Sequence, residues 1–137
     1  MLKTGKEQKP VLLKDAVIQG IIEKKGKNIV RLDMRKVSGG VCDYFVICEG
    51  DSAVQVDTIA HSVEEMVFRT TGERVYHHEG YENAEWILLD YVDVVVHIFQ
   101  PEFRKFYNIE NLWADAEKEE ITLENNVEFK IKYERYK

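Results

Sequence analysis

The chain has 137 residues, 45% of them hydrophobic, with 19 lysines and arginines against 25 aspartates and glutamates and a formal net charge of −6. That length suits one domain with a real core, and that composition excludes wholesale disorder. The acidic balance has the wrong sign for wrapping nucleic acid, so little direct nucleic-acid contact is expected; it suits a basic protein partner, or no charged partner at all.

No apolar run approaches the ~20 residues of a membrane span, so no membrane role is expected. The first ten residues lack the apolar segment of a secretory signal. Cys42 and Cys48 are too few for a disulfide framework. A cytoplasmic protein with reduced thiols is the expectation.

Residues 1–10 form a polar lead-in, expected to be flexible. From Val11 to Lys25, Leu13, Val17 and Ile21 recur at helical spacing with Ala16 and Gly20 between them, and Gly26 is the expected left-handed stop. Val30, Leu32 and Met34 then alternate with Arg31, Asp33 and Arg35, the period of a half-buried strand. Ser38-Gly39-Gly40 is a turn, and the wholly apolar stretch from Tyr44 to Cys48 reads as an inner strand covered on both faces. Gly50-Asp51-Ser52 opens a helix, Ser52 and Gln55 fitting a capping box. Val56, Ala60, Val63 and Val67 form its buried stripe and Gly72 ends it.

Arg74 to Glu85 is polar, holds Gly80, and reads as a short strand and a loop. Trp86 to Tyr91 and Val94 to Phe99 form a hairpin. Pro101 starts a helix, and Asn108 is expected to cap a second one carrying Leu112 and Trp113. From Val127 to Tyr133 apolar and charged residues alternate; this is an extra edge strand, a contact with a second copy of the chain in a homodimer, or a tail. The order of elements predicts an α/β single domain, a mixed β-sheet with flanking helices.

Pairing Tyr91 with Val94 places Ile87, Leu89, Tyr91, Val94, Val96 and Ile98 on one hairpin face, a plain core face. Trp86, Leu88, Asp90, Val95, His97 and Phe99 share the other. Two readings of that second face stand open. It binds a protein, since aromatic anchors beside charges are typical of interfaces, or a helix covers it with Asp90 and His97 at the rim.

Few constellations suggest catalysis. Asp90 and Asp93 are three apart, not the Asp-x-Asp that holds a metal against phosphates. The Gly50 turn lacks a P-loop's glycines and lysine. His61, His77, His78 and Glu79 match no zinc pattern, and no nucleophile arrangement is evident. Asp43 is expected to serve the adjoining loop, and Arg104 to pair with a carboxylate at the surface. No catalytic residue, cofactor or metal site is expected.

Two blocks, from Asp43 to Ser52 and from Trp86 to Trp113, resemble the ribosome silencing factor family, also called iojap-like. The likeness rests on Asp43-Tyr44-Phe45-Val46-Ile47, the Gly50-to-Ser52 turn, Trp86, Leu89-Asp90-Tyr91, Asp93 to His97, Arg104, Phe106-Tyr107 and Leu112-Trp113. It covers roughly Leu13 to Ala116. It implies a silencing factor-like domain over residues 11–116, with residues 117–137 as a C-terminal extension. It implies a nucleotidyltransferase-like topology without its catalytic carboxylates, hence not an enzyme. The resemblance further implies a translational repressor that docks on a ribosomal protein at the intersubunit face of the large ribosomal subunit, the fourteenth of that series. There it would block joining of the small subunit when nutrients are scarce.

On this reading the partner-binding residues are Trp86, Leu88, Asp90, Asp93, Val95, His97 and Tyr107, with Trp86 and Leu88 as apolar anchors and Asp90 and Asp93 meeting basic groups. The alternative is a nucleotide-binding or nucleotidyltransferase-like enzyme on the same fold. One departure stands out: the family often has Gly where this chain has Val92. A β-branched residue resists positive φ, so a loop longer than a two-residue turn is expected there.

Overall fold

The computed structural model describes residues 2–37 and 39–121, with side chains from residue 12 onward. In chain order the elements are α1 (Leu2–Glu23), β1 (Lys27–Asp33), β2 (Tyr44–Glu49), α2 (Ala53–Thr71), β3 (His77–Glu79), β4 (Trp86–Asp90), β5 (Val94–Phe99), α3 (Pro101–Tyr107), α4 (Ile109–Leu112) and β6 (Glu117–Ile121). They build one six-stranded sheet of order β3-β4-β5-β2-β1-β6. It is mixed, as expected: β2 and β5 pair in parallel at its centre and the other neighbours are antiparallel.

The sheet has two cores. On the first face α1 and α2 pack over Ile29, Tyr44, Val46, Cys48, Ile87, Leu89, Val94, Val96 and Ile98, all buried. The expected stripe of α2 is fully buried, with Ile59 added to Val56, Ala60, Val63 and Val67. The two helices approach closely at Gly20, where a Cβ would lie 2.8 Å from the Val63 Cα and 3.1 Å from the Ser62 carbonyl oxygen. Only glycine allows that crossing. The Ser62 hydroxyl donates to the Gly20 carbonyl at 2.8 Å and ties the crossing together.

Several local details differ from the sequence expectation. Helix α1 begins at Leu2, ahead of the expected start at Val11. The left-handed residue after α1 is Lys25 (φ 62°), not Gly26. The Gly26 N–H bonds the Ile21 carbonyl and the Lys25 N–H the Ile22 carbonyl, both at 2.9 Å. That is a Schellman pairing whose positive φ falls one residue earlier. Ser52 caps α2 by accepting from the Gln55 N–H at 3.1 Å, but Gln55 returns its oxygen to the Asp51 N–H rather than to Ser52. Asn108 is the left-handed C-cap of α3 and makes no side-chain cap to α4.

One residue of the polar side of β1, Arg31, is not solvated. Arg31 lies beneath α1, paired with Asp15 at 3.1 Å, and Glu119 of β6 is its second partner. Arg31 and Asp15 are 6% and 1% exposed. Burial raises the Asp15 carboxyl above the usual carboxylate range, against the opposing pull of Arg31.

Strand β6 carries no strand pattern in Glu117-Lys118-Glu119-Glu120-Ile121. Its place comes from ladder bonds to β1 and from opposite charges facing each other, Arg31 against Glu119. The alternating stretch from Val127 to Tyr133 lies outside the described residues.

Candidate partner-binding surface

The second sheet face carries the candidate site. β4 and β5 pair in the expected register, Trp86 with Phe99, Leu88 with His97 and Asp90 with Val95, so five of the seven expected partner residues share one face. α3, α4 and the following turn cover part of it. Phe103, Ile109, Trp113 and Ala116 pack on Val30, Leu32, Phe45, Ile47, Val95 and Phe99. That cover ends short of β4, where Trp86, Leu88 and Asp90 are half-buried. The helix-cover reading therefore holds in part: the short helices close the β1-β2-β5 side and leave the β4 side bare.

Arg104 fixes the cover. It is buried, not at the surface as expected: it donates to Glu110 at 2.7 Å, to the Asn28 carbonyl at 2.7 Å and to Glu49 at 3.1 Å. An α3 arginine thus clamps α4 and the ends of β1 and β2 through three hydrogen bonds, two of them to carboxylates. Burial alone would raise the Glu110 carboxyl, but the Arg104 bond and charge outweigh it and hold it below its usual range.

Trp86 sits at the boundary of covered and bare. Its ring stacks on Phe99 (centroids 4.8 Å, interplanar 27°) and lies 4.8 Å from the Tyr107 ring of α3. Its indole Nε1–H donates to His97 Nδ1 at 3.1 Å. His97 is 4% exposed, with Phe45 edge-on at 4.7 Å. Burial pushes its pKa down to about 3, so the imidazole is neutral. With Nδ1 accepting, the ring proton is on Nε2, which makes no hydrogen bond. His97 is therefore inside the face rather than at its rim, and Val95 is buried beside it.

Tyr107 flanks the patch, half-exposed, and Phe106 continues it at 5.0 Å, 78% exposed. Phe45 was missed as a member, because in an unbroken apolar run nothing distinguishes the side chain that meets His97. Gly80 shapes the adjoining loop at φ 96°; a Cβ there would collide with the Trp86 carbonyl oxygen.

The hairpin tip differs most from expectation. It is a tight two-residue turn, with Tyr91 N–H bonded to Val94 O and Asp93 N–H to Tyr91 O, both at 2.9 Å. Val92 is held at φ 76° and is 56% exposed. The Asp90 carboxylate accepts from the Val92 N–H at 2.7 Å, and this bond with the strand register overrides the residue's own preference.

Asp93 stands apart from the other expected partner residues, exposed in the turn. Its backbone carbonyl accepts from the Asp43 and Tyr44 N–H groups at 2.8 and 3.1 Å. Asp43 serves its loop through its backbone. Its carboxyl is raised, by burial first and then by the Asp93 charge. Asp90 and Asp93 are thus a turn brace and a turn residue. Among the described residues no group of three or more His, Cys, Asp or Glu is placed to hold a metal ion, and no helix is long and apolar enough to cross a membrane.

These features define a small α/β domain with one sheet face closed by two helices and the other left half open around an aromatic patch. The family model described as "Ribosomal silencing factor during starvation" matches residues 6–136, beyond both ends of the segment read from the motifs. The chain belongs to this ribosomal silencing factor family. It is 41% identical over 99 residues to the ribosomal silencing factor RsfS of Halalkalibacterium halodurans, covering 72% of this chain and 83% of that one. A crystal structure of a Chromobacterium violaceum protein superposes with a TM-score of 0.70 at 35% identity, over 74% of this chain and 83% of that one. A mouse protein named "Mitochondrial assembly of ribosomal large subunit protein 1" is 30% identical over 74 residues, 53% of this chain and 32% of that protein. The family is one of regulators of translation.

Proposed function

We propose that this protein silences translation in the cytoplasm by binding the large ribosomal subunit through a ribosomal protein at its intersubunit face, blocking the small subunit. The observation that carries the reading is the bare β4 side of the second sheet face, centred on Trp86, in a chain of this family. The mouse relative, named for assembly of the ribosomal large subunit, supports the large subunit as the partner. Trp86 and Leu88 supply the apolar contact and Tyr107 flanks it. Val95 and His97 support them from beneath. Asp90 and Asp93 give the adjoining hairpin an acidic rim that suits a basic partner. The mechanism is steric and uses no bond chemistry.

Sedimentation with separated subunits tests this. The protein should travel with the large subunit and not the small, and salt should weaken the complex. Trp86→Ala should weaken binding by about 2 kcal/mol or more. Equal recovery with both subunits, or with neither, would sink the ribosomal reading.

A further inference from the structure

The geometry points to His97 as a positioning residue: its buried Nδ1 holds the Trp86 indole in one orientation, so that the ring meets a partner as a preset, purely apolar anchor. This rests on the reading of the second face as the ribosomal contact.

Stacking on Phe99 and the tilted contact with Tyr107, each at 4.8 Å, confine the plane of the indole but not which of its edges faces inward, because a half-turn about Cβ–Cγ keeps that plane. A hydrogen bond is directional and removes that freedom. The Nε1–H is the only polar group of the side chain, and at interfaces it commonly faces water or the partner. Here it is turned inward onto His97 at 3.1 Å. What the half-buried ring offers outward is hydrocarbon. The group that seats on it is therefore an aliphatic or aromatic side chain, not a hydrogen-bond acceptor.

His97 is an expensive way to fill its place. Its Nε2 is buried without a partner, a cost that phenylalanine or leucine would avoid. Packing alone does not call for a histidine among Phe45, Ile47 and Val95. The Nδ1 acceptor is what this side chain adds. An anchor fixed beforehand loses less freedom on binding, and that saving appears as affinity.

The test combines an indole signal with affinity. In protein labelled with nitrogen-15 at Trp86 and Trp113, the Trp86 Nε1–H should be protected from solvent exchange. His97→Phe should abolish that protection and weaken large-subunit binding about three- to tenfold without lowering the melting temperature. His97→Asn, whose side-chain oxygen can stand where Nδ1 stands, should restore protection and part of the affinity. In a Trp86→Phe background, His97→Phe should have no further effect on affinity. Unchanged indole protection in His97→Phe overturns the proposal. So does wild-type affinity in Trp86→Phe, which keeps a ring but no donor, even where His97→Phe does not fold. Wild-type protein that does not bind the large subunit overturns the ribosomal reading and the anchor together. A wild type that binds, with His97→Phe binding equally, overturns the positioning role alone.

Discussion

Acidification should destabilise this fold through one buried side chain. The folded state holds the His97 pKa near 3, against 6.5 for an ordinary histidine, by desolvation alone. The folded protein therefore refuses a proton that the unfolded chain accepts. The stabilising contribution is complete above 6.5 and is lost as pH falls below it, until the folded ring itself titrates near 3. At about pH 5 the unfolded imidazole is protonated by roughly 30 to 1, and RT times the logarithm of that ratio is about 2 kcal/mol. Urea unfolding followed by circular dichroism, on wild type and His97→Phe, isolates the effect because other titrating groups cancel in the difference. Between about pH 7.5 and about pH 5 that difference should move by about 2 kcal/mol in favour of the variant, roughly 1 M in urea midpoint. Two parallel stability curves would refute the reasoning, and with it the buried, neutral state of His97.

Val92→Gly should stabilise the protein. Relief of a positive φ at a β-branched residue gains about 1–2 kcal/mol, glycine's extra chain entropy takes back about 0.5–1 kcal/mol, and the melting temperature should rise by a few degrees. Asp15→Ala should cost about 3 kcal/mol by leaving Arg31 buried beside an empty place, read by chemical denaturation. The paired Asp15→Leu, Arg31→Met protein should recover much of that loss. Gly20→Ala should destabilise by about 1–3 kcal/mol through overpacking against the Val63 backbone, although alanine is the better helix former; a raised melting temperature would show that the two helices can move apart.

What could be read from the sequence was whatever periodicity carries. The α2 stripe, the inner strand β2 and the hairpin register are written in side-chain spacing, and so was the grouping of Trp86, Leu88, Val95 and His97 on one face. What depended on distant partners was not. Arg104 looks like any surface arginine until Glu49 and the Asn28 carbonyl arrive from elements far away in the chain. Arg31 reads as the polar side of a strand, because nothing local shows that Asp15 waits above it. Strand β6 has one buried apolar residue, Ile121, and is held by the ladder it joins. The tight turn at Val92 went unread because a carboxylate two residues earlier, not the turn residue, sets its geometry.

The parallel seam of β2 with β5 bears on how the chain is made. β2 pairs from Tyr44 to Glu49 with Val94 to Phe99, and α2, β3 and β4 all lie between. As the chain leaves the ribosome, β2 can find β1 at once, but its other edge stays open until β5 has emerged. Over that interval Tyr44, Phe45, Val46 and Ile47 present an unpaired apolar edge, the kind of surface that joins other chains. The antiparallel β4–β5 hairpin closes quickly by comparison, because its partners are neighbours. A silencing factor so built does not close the centre of its sheet until Phe99 has emerged, with β6 joining later still, so a nascent chain stalled before that point has neither the aromatic patch nor the surface behind it.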